Sequence, residues 1–233
     1  MNARFVSAFN SFVEQVKQEY TTKGILFFGS AQQGKESVFS DLDFYIVVEG
    51  EEGWNFKKII NEVPIEAYFL PQCQWQKQIN ESPHVLRSFA TGDIIYDIDL
   101  CLNELVAYSK NKYDQGPDEL TELQKSNWRI TLTELCSDLE GEIHPSANNR
   151  IFSGWAVVKA LESYCALNRI WSDKTEKLVH QLSKLDSDIE SLLTKYNDSP
   201  SPLNAKMLVE YVLKQNGGPI TEYEGPRIKY KNI

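Results

Sequence analysis

The 233-residue sequence lacks the patterns of a zinc site, a disulfide framework and a membrane span. Its four cysteines, Cys73, Cys101, Cys136 and Cys165, form no C-x-x-C pair and have no histidine at zinc-ligand spacing. No apolar run reaches the roughly 20 residues of a transmembrane helix, and the first 16 residues have helical spacing rather than the apolar core of a signal peptide. We therefore predict reduced thiols, no membrane association and a cytoplasmic location.

Basic clusters are also missing. The chain has 24 Lys and Arg against 33 Asp and Glu, which gives a formal net charge of -9. Because nucleic-acid backbones are held by clusters of Lys and Arg, we expect no nucleic-acid partner and no polymerase channel. An acidic protein can still bind one nucleotide or a cationic small molecule in a local pocket. Hydrophobic residues make up 42% of the chain, enough for the cores of one large or two small domains.

Hydrophobic periodicity divides the chain at the Gly- and Pro-containing turn of residues 114–118. Before this turn we predict strands at 25–28, 42–48, 65–70 and 93–97, a short helix after Gly29-Ser30, and helices at 4–20, 54–63, after Pro71, near 83–90 and near 100–112. After it the pattern is helical, with one of the helices running over 174–196. The prediction is an α+β protein. A mixed sheet flanked by helices forms domain 1–114, an all-α helical bundle forms domain 118–216, and residues 217–233 form a C-terminal tail.

Two carboxylates open the second predicted strand, within the segment GILFFGSAQQGKESVFSDLDFYIVVE (residues 24–49). Since successive strand residues point to opposite faces, Asp41 and Asp43 project from one face, about 7 Å apart along the strand. Like charges this close repel each other unless a cation lies between them, and Mg²⁺ prefers oxygen ligands of this kind. Glu66 lies on the following strand. The pattern therefore predicts a magnesium site.

The order of Gly29, Ser30, Asp41, Asp43 and Glu66 resembles the nucleotidyltransferase superfamily, which shares its fold with polymerase beta. Residues 93–105 are similar to the segment that follows the catalytic core in small bacterial nucleotidyltransferases. The helical second half is similar in layout to the antibiotic nucleotidyltransferases, which act on aminoglycosides and lincosamides. The resemblance implies a catalytic domain over residues 1–114 and a substrate-binding domain over residues 118–216. Within it, residues 166–182 resemble a segment of those enzymes and place Lys174 at one of their lysines.

The resemblance implies a Mg²⁺-dependent enzyme that transfers AMP from ATP to a hydroxyl of a small molecule and releases pyrophosphate, with a role in antibiotic resistance. Asp41, Asp43 and Glu66 would be the catalytic and metal-binding residues. Glu66 would either complete a second metal site or accept the proton of the attacking hydroxyl. The resemblance assigns nucleotide contacts to Gly29, Ser30, Ser40 and Lys174. Further candidates are Lys35, Arg129 and Arg169 for the outer phosphates, and Glu162 as a base or as an ordinary helix-surface residue.

Other interpretations stay open at this level. The chain could adenylylate another protein, as small antitoxin-type nucleotidyltransferases do, or it could be a nucleotide-binding relic without catalysis. The resemblance also allows a homodimer. The aromatic residues of the helical half are expected to lie in its core. They are Trp128, Trp155, Tyr164 and Trp171.

Overall fold

In the computed structural model, residues 1–37, 39–141 and 147–223 are described. The chain divides into two compact units, Met1–Gly116 and Pro117–Ile233. The first combines helices with a sheet, and the elements of the second are helices. The predicted α+β class is confirmed. No helix within the described residues is long and apolar enough to cross a membrane.

The first unit is built around a five-stranded mixed sheet with strand order β3-β4-β2-β1-β5. Only the β2–β4 pair is parallel among these strands, and the other three pairs are antiparallel. The elements in chain order are α1 (Ala3–Glu19), β1 (Thr22–Phe28), β2 (Leu42–Val48), β3 (Trp54–Ile60), β4 (Val63–Leu70), α2 (Gln72–Glu81), α3 (Pro83–Thr91), β5 (Asp93–Asp97) and α4 (Cys101–Asp114).

Helices cover both faces of this sheet. On one face, buried residues of α1 such as Phe12 pack against Phe44 of β2, with ring centroids 4.7 Å apart. On the other face, Trp75 of α2 packs against Tyr45 and donates an indole N–H hydrogen bond of 2.9 Å to the carbonyl of Ile46. Because β1 and β2 are central and buried on both faces, their sequences are nearly continuous apolar runs. Their rigid ends provide the frame of the site described below.

The predicted helix over residues 54–63 is wrong: this segment is β3 and the start of β4. Asn61 and Glu62 have φ values of 49° and 63°, so both adopt the left-handed conformation that a two-residue hairpin turn requires. The turn folds β3 back along β4, where Ile59 pairs with Pro64. Since β3 is an edge strand, its apolar residues need not be buried, and Ile59 is 70% exposed. The short helix predicted after Gly29-Ser30 is also absent, because residues 30–34 form turns.

The second unit consists, in its described residues, of five helices, the last of which contacts three of the others. The helices are α5 (Glu122–Gly141), α6 (Ala147–Leu167), α7 (Thr175–Ser183), α8 (Ser187–Asp198) and α9 (Pro202–Gln215). Helix α9 contacts α5, α6 and α8, and their apolar residues form a core separate from that of the sheet. The predicted continuous helix 174–196 is wrong, because Asp186 accepts hydrogen bonds from the N–H groups of Asp188 and Ile189 and starts a new helix there.

The aromatic side chains of the helical half are less buried than expected. Trp128, Tyr164 and Trp171 are half-buried, and Trp155 is 51% exposed. Aliphatic residues such as Leu132, Leu161 and Leu208 fill the core instead. The predicted tail contains no helix or strand over residues 217–223, and residues 224–233 lie outside the described part of the chain.

Candidate metal and nucleotide site

Three carboxylates meet where β2 and β4 run side by side. Asp43 lies directly opposite Glu66 in the parallel pair, and Asp41 immediately precedes β2. One carboxylate oxygen from each of the three residues lies within 4.8 Å of the others, and all three residues are half-buried. The three carboxylates predicted as metal ligands therefore lie close together, while their catalytic and metal-binding roles stay predictions.

The donor set fits a magnesium ion. It consists of hard oxygen ligands that can approach a common point, and three carboxylates at this spacing repel one another unless positive charge lies among them. Exposed acidic groups can share a surface without a metal, but these three are half-buried and held by neighbouring strands. Asp41, Asp43 and Glu66 would hold the ion.

Glu66 is bound by two residues that the sequence analysis missed. The hydroxyl of Tyr68 donates to its Oε1 over 2.5 Å, and the ammonium of Lys57 lies 2.8 Å from the same oxygen. Tyr68 is two residues further along β4 and shares a face with Glu66, whereas Lys57 pairs with Glu66 across the β3–β4 hairpin. Lys57 was missed because the helix predicted over 54–63 did not place this residue beside Glu66. A hairpin register drawn from the Asn61-Glu62 turn could have revealed it.

These contacts also perturb proton affinities. The hydrogen bond to Glu66, then burial and the charge of Glu66, raise the pKa of Tyr68 to about 12. The hydrogen bond and charge of Glu66 raise the pKa of the Lys57 ammonium above its ordinary value, with smaller contributions from Asp41 and Asp43. Tyr68 is therefore neutral and Lys57 cationic around neutral pH.

Gly29 contacts the triad from the β1 side. It follows Phe28, which pairs with Asp43 in the antiparallel β1–β2 ladder, and its φ of +91° favours glycine. A Cβ atom at this position would collide with Oδ2 of Asp43. The absence of a side chain therefore allows the turn to lie against the carboxylate of Asp43, while the phosphate contact of Gly29 and Ser30 stays a prediction.

Serine hydroxyls organise the loop between Gly29 and Asp41. Ser40 Oγ accepts a 2.8 Å hydrogen bond from the N–H of Ser37 and a 3.4 Å hydrogen bond from the hydroxyl of Ser30. The predicted nucleotide contacts Ser30 and Ser40 are thus brought together, and Ser37 joins them without any signal in the sequence. Lys35 lies in the same loop, is exposed, and donates to Gln33 Oε1 over 3.1 Å.

The remaining predicted cations belong to the second unit, whereas the triad belongs to the first. Lys174 is exposed at the start of α7, and its N–H donates to Asp173 over 2.8 Å. Arg129 donates to the carbonyls of Gly217 and Gly218, and Arg169 donates to the carbonyl of Pro117. The contribution of Lys174, Arg129 and Arg169 to nucleotide binding stays a prediction.

Glu162 and the segment 93–105, the two other features singled out from the sequence, each form hydrogen bonds within their own part of the fold. Glu162 accepts a 3.2 Å hydrogen bond from Lys159 on the same helix. In the segment 93–105, Asp97 accepts hydrogen bonds from the N–H groups of Leu102 and Asn103 and so caps α4. Burial alone would raise the pKa of Asp97, but these hydrogen bonds outweigh it and the pKa lies below its usual value.

An open groove of about 470 Å³ approaches the triad from the β3 side. It is lined by Asp41, Lys57, Lys58, Ile59, Pro64, Ile65 and Glu66. Across the sheet, Lys57 of β3, Glu66 of β4 and Asp43 of β2 follow one another, with Gly29 beyond them after β1. The triad therefore has two neighbours: a glycine turn on one side and a groove on the other.

Comparison with known proteins gives one kind of match. No protein-family model matches the chain. No curated protein matches it either. Among solved structures, the chain is similar to a nucleotidyltransferase-like protein from Exiguobacterium sibiricum 255-15, with 14% identity and a TM-score of 0.46. The match covers 90% of this chain and 74% of that one. What the site can do is decided by its own residues.

Proposed function

We propose that the protein is a Mg²⁺-dependent nucleotidyltransferase that transfers AMP from ATP to a hydroxyl group and releases pyrophosphate. The observation that carries the proposal is the convergence of Asp41, Asp43 and Glu66 beside the Gly29 turn. A hard-oxygen donor set next to a turn that leaves room for phosphate is the arrangement that metal-assisted phosphoryl transfer requires.

Each residue has a role that follows from its chemistry. Asp41 and Asp43 would hold Mg²⁺, which would neutralise charge on the triphosphate and on the leaving pyrophosphate. The backbone at Gly29 approaches phosphate closely because no Cβ intervenes, and the hydroxyls of Ser30 and Ser40 add donors. Glu66 completes the ligand set or accepts the proton of the attacking hydroxyl.

The two neighbours of the triad suggest the direction of transfer. In phosphoryl transfer the attacking and leaving oxygens lie on opposite sides of the phosphorus. The triphosphate would lie towards the Gly29 turn, and the acceptor would enter through the groove beside Glu66. A bond forms between the acceptor oxygen and the α-phosphorus, the bond to pyrophosphate breaks, and the acceptor's proton is released, passing to Glu66 if this carboxylate serves as the base.

The proposed acceptor is a small hydroxylated molecule of the aminoglycoside or lincosamide kind, in keeping with the resemblance of the helical half to the antibiotic nucleotidyltransferases. The groove is large enough for part of such a molecule. The proposal includes a cytoplasmic enzyme without a nucleic-acid partner. We further propose, on the same resemblance, that Lys174 of the second unit contacts the nucleotide and that the protein forms a homodimer.

The test is a pyrophosphate-release screen of the purified chain with ATP and Mg²⁺ against aminoglycosides, lincosamides and other hydroxylated small molecules. Asp41→Asn removes one anionic ligand and should lower the rate at least about 100-fold without unfolding the protein. The control is Asp99→Asn, because Asp99 is an exposed carboxylate of the same unit that pairs with Lys23. Full activity of Asp41→Asn would show that the metal assignment is wrong.

A labelled-ATP incubation with cell lysate separates small-molecule from protein acceptors. Label on a macromolecule would favour transfer to a protein. Label on small molecules would favour the acceptor class proposed here.

A further inference from the structure

The ammonium of Lys57 forms an ion pair with one carboxylate of the triad, although the proposed chemistry assigns Lys57 no role. Its Nζ lies 2.8 Å from Oε1 of Glu66, where the Tyr68 hydroxyl also donates. The side chain of Lys57 is 66% exposed, whereas that of Glu66 is only 22% exposed. Lys57 therefore reaches the site from solvent on a flexible four-carbon stem, while Glu66 is held within the sheet.

We propose that Lys57 is the built-in counter-ion of the carboxylate triad, and that a divalent cation must displace its ammonium from Glu66 in order to bind. The inference rests on the proposed metal site. The ammonium stays protonated throughout, and only its position and its partner change. Lys57 thereby sets the affinity of the site for its metal.

Coulomb's law gives the direction of the effect. Before a divalent cation binds, the ammonium offsets the repulsion among three carboxylates whose oxygens lie within 4.8 Å of one another. Once a divalent cation is bound to the same carboxylates, the ammonium and the metal repel each other. Lys57 therefore stabilises the metal-free site more than the metal-bound one, and its charge lowers metal affinity.

Tyr68 differs from Lys57 in this respect. It donates to the same oxygen but carries no charge, so no electrostatic repulsion separates its hydroxyl from a bound metal. Its hydroxyl can keep Glu66 oriented in both states, as hydrogen-bonded neighbours of metal ligands do. Removing Tyr68's hydroxyl should therefore not raise metal affinity, whereas removing the charge of Lys57 should.

The experiment is a titration of the full-length protein with Mn²⁺, with free Mn²⁺ followed by electron paramagnetic resonance. Lys57→Met and Lys57→Gln remove the charge and should each bind Mn²⁺ about three- to tenfold more tightly than the wild type. Lys57→Arg keeps the charge and should bind like the wild type. The gain should shrink at high salt, because the repulsion is screened. A variant that merely disturbed the fold would lose affinity rather than gain it.

Lys58→Met is the matched control. Lys58 is the next residue on β3, lines the same groove, and makes no ion pair among the described residues. Lys58→Met removes one positive charge, as Lys57→Met does, but it breaks no ion pair with the triad. It should leave Mn²⁺ affinity within about twofold of the wild type, since only a charge in contact with the triad is close enough for a larger effect.

Two outcomes separate this inference from the proposed function. If the wild type binds Mn²⁺, Asp43→Asn abolishes binding, and Lys57→Met binds no more tightly than the wild type, the role of Lys57 is overturned while the metal site stands. If Asp43→Asn binds like the wild type, or neither the wild type nor Lys57→Met binds at all, the metal site and the inference both fail.

Discussion

Gly29 and Asp43 illustrate how the site depends on single residues. The carboxylate of Asp43 lies where the side chain of any other residue at position 29 would begin. The positive φ of Gly29 also favours glycine at this position, because residues with a Cβ rarely adopt such a backbone conformation. Two independent constraints, one conformational and one steric, therefore act at the same position.

Gly29→Ala should damage the site more than its conformational strain alone explains. Gly34 also has a positive φ, of 68°, but among the described residues, its two chain neighbours aside, no heavy atom lies within 4 Å of the position of its missing Cβ. Gly34→Ala therefore measures the conformational cost alone, about 1 kcal/mol. Gly29→Ala should lower the free energy of unfolding in urea by about 1–3 kcal/mol more, as overpacking does, and should weaken Mn²⁺ binding.

Equal effects of the two substitutions on unfolding and on Mn²⁺ binding would contradict this account. The contact between position 29 and Asp43 would then contribute nothing to the site. A loss of Mn²⁺ binding in Gly29→Ala with unchanged binding in Gly34→Ala would support it.

At the scale of elements, the β3–β4 hairpin decides which residues surround Glu66. The Asn61-Glu62 turn sets the register in which Lys57 faces Glu66. A slip of this register by one residue would turn Lys57 to the other face of the sheet. The composition of the groove is therefore a property of the hairpin and not of β3 alone.

A second element-scale feature is the break between α7 and α8, where the carboxylate of Asp186 accepts hydrogen bonds from four groups. Two are the N–H groups of Asp188 and Ile189, and two are the hydroxyls of Tyr164 and Tyr211, at 2.8 and 2.9 Å. Burial raises the pKa of Asp186, but these hydrogen bonds to the carboxylate outweigh burial and lower it overall. The ionised carboxylate therefore stabilises the helical unit.

Asp186→Asn should reduce the dependence of stability on acid pH. Because the pKa is lower in the folded state, the stabilisation is fully present above the unfolded value of about 3.9 and is lost as pH falls through the folded pKa. Asparagine still caps the helix, so the change reports mainly the charge. The free energy of unfolding of both proteins can be measured in urea at neutral pH and near pH 3. The difference between the wild type and Asp186→Asn should be smaller near pH 3 than at neutral pH.

A constant difference between the wild type and Asp186→Asn over this pH range would contradict the prediction. It would mean that the carboxylate of Asp186 has the same proton affinity in the folded and unfolded chains. The other acidic groups titrate alike in both proteins and cancel in the comparison.

At the scale of the whole molecule, two cores serve two units. The core of the sheet unit contains residues of α1 and the strands, and the core of the second unit contains residues of α5 to α9. The triad, Gly29, Ser30, Ser40 and Lys57 all belong to the first unit. Metal binding should therefore need only the first unit, whereas the proposed recognition of an acceptor also involves the second.

Residues 1–116 produced alone should fold and bind Mn²⁺ with the affinity of the full chain. The physical reason is that the first unit has its own core and contains all three carboxylates. Circular dichroism and the same Mn²⁺ titration test this prediction. A folded fragment that fails to bind Mn²⁺ would mean that residues beyond 116 complete the metal site.

Much of the fold could be predicted because its signals are local. The apolar runs of β1 and β2 predict central strands, and the alternation of Ile65, Ala67 and Phe69 predicts the half-buried strand β4. The secondary structure of residues 54–63 is harder to predict from sequence. An edge strand exposes some of its apolar residues, so the spacing of the buried ones can resemble that of a helix. The prediction of one helix over 174–196 overlooked Asp186, although aspartate is a favoured N-cap residue.

The sequence by itself determined the α+β class, the strand that begins after Asp41 and carries Asp43, and the strand that carries Glu66. Alternation along a strand is a property of the local backbone, so these features need no knowledge of distant residues. Only the tertiary structure decided that Lys57 and Tyr68 share one oxygen of Glu66 and that Gly29 lies against Asp43. These contacts depend on strand register and on turn conformation, and both are set when separate segments pack together.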